Sequence, residues 1–158
     1  MSQQTANNDI RRDLVALLPR LRRFALTLTG TAKDADDLVR SVAARAIQKS
    51  HHWKGKGRLE NWLFSMTRSA WADEAKRRRT RPGAHVEPAE GSETSAITPL
   101  LTMPEGLAST FLLVDVEGFS YSEAADILGV SAEILSTRLC AARLQLAALG
   151  SRTTERRA

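Results

Sequence analysis

Apolar residues recur at Tyr121, Ala124, Ala125 and Leu128, the spacing of one helix face. Ser120 stands where an N-cap belongs, and Glu123 completes a capping box. Gly129 suits the left-handed backbone that ends a helix. Ser131 can then cap a new helix running through Leu135, Leu139 and Ala142. Two short helices joined by a glycine turn make a helix-turn-helix, whose second helix commonly enters the DNA major groove. The alternative at this level is a helical hairpin that only packs.

Three more helical patterns precede this pair. The first covers about residues 9–28, with an apolar stripe at Leu14, Leu17, Leu18, Leu21, Phe24, Ala25 and Leu28, Pro19 as a kink or break, and Gly30 as its close. The second is capped around Thr31, carries Asp34, Asp36 and Asp37 where the helix dipole favours negative charge, and continues through Leu38, Val42, Ala46 and Ile47. A basic loop with two glycines occupies residues 51–58. The third helix runs from Leu59 to about Arg79. On a wheel, Leu59, Trp62, Leu63, Met66 and Ala70 predict its core face, with Phe64 and Trp71 opposite, near Arg68 and Arg78. That second face either stacks on unpaired bases or is buried because the helix is sandwiched.

No strand alternation interrupts these patterns, so the fold class is all-α, with two small helical domains. Pro82 and Gly83 end the third helix, and the Pro-, Glu-, Ser- and Thr-rich stretch after them reads as a flexible linker. The expected organisation is a disordered tail at 1–9, a first domain at 10–81, the linker at 82–99, a helix-turn-helix domain at 100–149 and a tail at 150–158.

Charge sharpens the division. The net charge is +5, but residues 1–80 hold 17 Lys/Arg against 8 Asp/Glu, and residues 81–158 hold 6 against 10. The first half can neutralise phosphate or meet an acidic protein, whereas the second is poorly suited to phosphate. The single cysteine, Cys140, excludes an intramolecular disulfide and fits a reducing, cytoplasmic setting. No apolar run reaches the about 18 residues of a membrane span, and the polar N-terminus lacks a signal-peptide core.

Catalytic chemistry has no footing. His51 and His52 are neighbours and cannot share a helix face as a metal pair does, His85 lies in the linker, and Cys140 has no metal-spaced partner. No metal, no cofactor and no enzymatic activity are expected.

The order of several fragments resembles the extracytoplasmic-function sigma factors of bacterial RNA polymerase. The fragments are Leu18-Pro-Arg-Leu-Arg-Arg-Phe-Ala, Leu28-Thr-Gly, Asp34-Ala-Asp-Asp-Leu-Val, Leu59-Glu-Asn-Trp-Leu-Phe, Asp73-Glu-Ala-Lys-Arg-Arg and Leu113-Val-Asp-Val-Glu-Gly-Phe-Ser-Tyr-Ser-Glu-Ala-Ala-Asp-Ile-Leu-Gly-Val. The last resembles the alphaproteobacterial general-stress branch. The resemblance covers about residues 10–80 and 100–148.

It implies that the first domain binds core RNA polymerase and recognises and opens the promoter −10 element, while the second reads the −35 element. Polymerase binding then falls to Asp34, Asp36, Asp37, Leu38, Arg40 and Ser41. The −10 contacts fall to Trp53, Lys54, Lys56, Arg58, Asn61, Arg68, Arg77, Arg78 and Arg79, with Trp53 and the loop cations around an extruded base. Ser136, Thr137, Arg138 and Arg143 are left for −35. The implied partners are core RNA polymerase, promoter DNA and an anti-sigma factor.

Three departures bear on this. Arg40-Ser41-Val42 stands where the family has Gln-Glu-Thr or similar. The recognition helix reads Glu133-Ile-Leu-Ser-Thr-Arg-Leu and then Cys140-Ala-Ala-Arg143, with only Arg138 and Arg143 basic. Met103-Pro replaces a common Leu-Pro, and nearby charges are missing. A second function of another class follows: a sigma-like mimic or adaptor that sequesters an anti-sigma factor without driving transcription. The basic first half argues against pure mimicry.

Overall fold

The computed structural model describes residues 2–53, 58–80, 103–104 and 106–155, with side chains between residues 8 and 152. The chain divides into two units, Met1–Ala89 and Glu90–Ala158. No strand occurs among the described residues.

The first unit holds α1 (Ser2–Thr29), α2 (Ala32–Gln48), a 3-10 turn (Ser50–His52) and α3 (Leu59–Thr80). α1 begins at Ser2, so residues expected as an N-terminal tail are helical, and it passes through Pro19 without a break. A proline frees the carbonyl four residues earlier. That residue here is Val15, which is 64% exposed, so water can serve the freed group. Thr31 caps α2 as its spacing predicts: its backbone is extended and its hydroxyl accepts from the Asp34 N–H at 3.2 Å.

The core of this unit contains Leu14, Leu21, Phe24, Ala25 and Leu26 of α1, Ala35, Leu38, Val42 and Ala46 of α2, and Leu63, Phe64 and Ala70 of α3. The face of α3 differs from the expected one. Its buried residues are Leu63, Phe64, Thr67 and Ala70, while Leu59, Trp62 and Met66 are half-buried. Phe64 is completely buried and stacks on Phe24, ring centres 5.1 Å apart, so it is not available to a base. Packing against α1 sets the displaced face, and a local bond makes it possible. Thr67, a polar letter in the sequence, sits at the centre of the buried side, because its hydroxyl donates to the Leu63 carbonyl at 2.8 Å and needs no other partner.

The second unit holds α4 (Leu107–Phe111), which continues as a π turn (Leu112–Val116), then α5 (Tyr121–Leu128) and α6 (Ala132–Glu155). α6 runs through the expected tail as far as Glu155. Both halves of the Ser120–Glu123 capping box form, each at 3.1 Å. Gly129 takes φ 66°, and the N–H groups of Gly129 and Val130 return to Asp126 and Ala125 as a Schellman closure. Ser131 accepts from the Ile134 N–H at 3.2 Å and opens α6. Leu135, Leu139 and Ala142 are buried, as their spacing predicts, against a core that includes Leu112, Leu113, Phe119, Ala124 and Ile127. Tyr121, placed on the same face of α5 by periodicity, remains 44% exposed.

Candidate nucleic-acid and polymerase interface

The start of α2 and the end of α3 meet through one pair. Arg78 donates to both oxygens of Asp34, from Nη1 at 3.1 Å and from Nη2 at 2.8 Å. Its Nε donates to Glu74 at 3.2 Å, and its guanidinium lies over the Trp71 ring at 5.1 Å. The hydrogen bonds from Arg78 hold the Asp34 carboxyl below its ordinary 3.8, against the opposing effect of burial. The same contact raises the Arg78 guanidinium further. Residues drawn from two separate candidate sites are thus each other's partners.

The remaining α2 candidates sort by exposure. Asp36 accepts from Arg22 Nε at 2.7 Å, and Leu38 lies in the core. Asp37, Arg40 and Ser41 lie on the open face, where Arg40 reaches Asp37 at 3.4 Å.

Beside the basic loop, two polar atoms are buried without a hydrogen-bond partner among the described residues: Trp53 Nε1, a donor, and Asn61 Oδ1, an acceptor. Buried polar atoms are normally paired, so each of these is an exception that asks for a reason. They bracket residues 54–57. Lys54 and Lys56 lie outside the described residues. Arg58 pairs with Glu60 at 3.9 Å, and Glu60 also receives Arg20. Along α3, Arg77 pairs with Glu74 at 2.8 Å, while Arg68 and Arg79 make no ion pair or hydrogen bond with another described residue.

In the second unit α6 carries Arg138, Arg143 and Arg152, and of these Arg143 is held in an ion pair. Arg143 makes a two-pronged pair with Asp115 at 2.9 and 2.7 Å, which holds the Asp115 carboxyl below its usual range. The Arg138 guanidinium lies against Gly106: a Cβ there would stand 2.8 Å from Nη1. Thr137 donates to the Glu133 carbonyl at 3.0 Å, and Ser136 is exposed. The open side of α6 therefore offers Glu133, Ser136, Thr137 and Cys140. An open depression of about 390 Å³ beside it is lined by Tyr121, Ser136, Leu139, Cys140, Arg143 and Leu144. No group of three or more His, Cys, Asp or Glu suited to a metal occurs among the described residues, and none of their helices is long and apolar enough to cross a membrane.

The sequence missed the Asp34–Arg78 pair, whose partners stand 44 positions apart, and the seat of Arg138 on Gly106. Glycine at 106 was a usable signal only once its φ of 88° was known.

Two helical units, one carrying a basic helix and the other a capped helix-turn-helix, are an architecture compatible with a DNA-binding regulator of transcription. Comparison with known proteins narrows the class. Residues 14–81 match the family Sigma-70 region 2, and residues 109–147 match the sigma-like domain of the response regulator PhyR. The chain is 30% identical to the ECF RNA polymerase sigma factor EcfG of Rhodopseudomonas palustris, over 90% of this chain and 85% of that one. Among solved structures it is similar to the sigma factor RpoE of Bartonella quintana, in complex with the anti-sigma factor NepR, with TM-score 0.73, 26% identity, and 90% and 97% of the two chains covered. The anti-anti-sigma factor PhyR of the same organism, complexed with NepR, shares the fold at TM-score 0.56 and 20% identity, over 85% of this chain and 47% of that one. The protein belongs to the ECF sigma factors of the sigma-70 family.

Proposed function

We propose that the protein binds core RNA polymerase in the cytoplasm and directs it to promoters of the general-stress type, under the control of an anti-sigma factor. The exposed face of α2 at Asp37, Arg40 and Ser41 supplies the polymerase contact. The basic loop and α3 open and read the −10 element. Trp53, Asn61, Arg58 and the loop lysines Lys54 and Lys56 surround the extruded base, and Arg68, Arg77 and Arg79 hold phosphate. Arg78 has each of its three nitrogens engaged within the unit and does not. α6 makes a modest −35 contact through Ser136 and Thr137. Arg138 contributes directly, and Arg143 contributes where DNA displaces Asp115.

The observation that carries this reading is the orphaned pair at the loop, Trp53 Nε1 and Asn61 Oδ1. Extruding a base costs a few kcal/mol, so its pocket must return stacking and hydrogen bonds. An indole N–H and an amide oxygen with no partner of their own offer one donor and one acceptor to a base edge. Likeness to EcfG and to a sigma factor solved with NepR supports the branch and the kind of partner.

The test is promoter opening by the full chain with core polymerase. Trp53→Ala and Asn61→Ala should each reduce permanganate reactivity in the −10 region and leave polymerase binding intact. Unchanged reactivity in both variants contradicts the pocket.

The mimic reading keeps one supporting observation: Arg143 of α6 is tied to Asp115 inside the unit. It expects capture of an anti-sigma factor with no transcript from any promoter.

A further inference from the structure

The last stretch of α3 packs only through a half-buried stripe at Trp71, Glu74, Ala75 and Arg78. The buried residues of this helix are Leu63, Phe64, Thr67 and Ala70, and none of the ten residues from Trp71 to Thr80 is buried. Ten helical residues span about 15 Å. Across that length, among the described residues, the hydrogen bonds to another element are those of Arg78 to Asp34. The remaining ones, Arg77 and Arg78 to Glu74 and Thr80 to its own helix, stay within α3.

Both ends of the tether are fixed. Asp34 is in the first turn of α2, where its own N–H is tied to Thr31. Arg78 is planar, forked onto the carboxylate and seated on Trp71, a geometry that a lysine cannot reproduce.

We propose that Asp34 and Arg78 form a positioning pair. It fixes the terminal turns of α3 on α2, so that Arg78 serves DNA binding by holding Arg77 and Arg79 in place and not by touching phosphate. The DNA side of this inference rests on the reading of α3 given above; the tether itself does not. The pair also joins the helix that faces polymerase to the helix that faces DNA. A change at either end therefore reaches the other through one ion pair.

The experiment compares the full chain with Asp34→Asn, Arg78→Gln, Arg78→Lys and the double variant Asp34→Asn/Arg78→Gln. Amide hydrogen exchange is read first, on the free protein. Residues 71–80 should exchange at least about tenfold faster in every single variant, with no further increase in the double variant, as one shared contact requires. Retained protection at residues 63–67 identifies a folded unit.

Promoter binding is read second, with saturating core polymerase, across a range of salt. Affinity should fall alike in Asp34→Asn, Arg78→Gln and Arg78→Lys, and the salt slope should match the wild type. A phosphate ligand behaves otherwise: Arg78→Gln alone would lower the slope by about one, Arg78→Lys would largely rescue, and Asp34→Asn would bind at least as well. That pattern overturns the proposal, as does unchanged exchange at residues 71–80. If the wild-type protein with polymerase binds no promoter, the reading of α3 fails, and the exchange arm alone decides the tether.

Discussion

At the scale of single residues, the informative positions are those whose spatial neighbours lie far away along the chain. Gly106 is one. Its φ of 88° is left-handed, and the Arg138 guanidinium occupies the space that a Cβ would take. Gly106→Ala should cost about 1–2 kcal/mol from backbone conformation alone, and more if Arg138 cannot move aside. Urea denaturation of the full chain, followed by a probe in the second unit, measures it. Asp34 gives a prediction in pH. Its folded pKa is lowered, so its contribution is complete above the unfolded value near 3.8 and is lost as pH falls through the folded value. Below about pH 4 the wild type should therefore lose stability more steeply than Asp34→Asn. The partly exposed setting keeps the difference small. Equal acid sensitivity of the two would mean that the pair does not stabilise the fold. None of these partnerships was legible in the sequence, because periodicity finds neighbours three or four residues apart and these partners stand far apart along the chain.

At the scale of elements, the caps were legible and one helix face was not. Thr31, Ser120 and Ser131 act through backbone groups within three residues, so local sequence specifies them. Ser120→Ala should cost about 1 kcal/mol, within a range of roughly 0.5–2, by removing the cap of α5. The face of α3 depended on tertiary packing. A hydroxyl satisfied by its own helix made Thr67 a core residue, and the aromatic Phe64 followed it inward against Phe24. Phe64→Ala should then destabilise the first unit by about 3–5 kcal/mol, the range for a buried phenylalanine. Near-normal thermal unfolding combined with impaired DNA binding would instead restore Phe64 to a base-stacking role. Pro19 shows the converse. A residue that commonly ends a helix is tolerated in α1, where the carbonyl it orphans lies on an exposed side.

At the scale of the whole molecule, the all-helical fold and the order of the pieces were legible, because helical periodicity and the caps of α2, α5 and α6 are local. The candidate site was legible in residue type and less so in availability. The sequence marked Asp34, Arg78, Arg138 and Arg143 by charge and family position. The structure pairs Asp34 with Arg78 and Arg143 with Asp115, each inside its own unit, and sets the Arg138 guanidinium beside Gly106. Among the described residues, the first unit keeps unpaired cations at half-buried Arg68 and exposed Arg79 and an unsatisfied donor and acceptor at Trp53 and Asn61. The second presents an almost uncharged face on α6. Promoter choice should consequently depend more on the −10 than on the −35 element. The most direct measurement is run-off transcription by purified core RNA polymerase with this protein on a promoter library. The account predicts transcripts that require the protein, start downstream of a shared −10 sequence and are lost with Trp53→Ala. No transcript from any promoter, with polymerase active on an added sigma factor and an anti-sigma factor still bound by this chain, would contradict it.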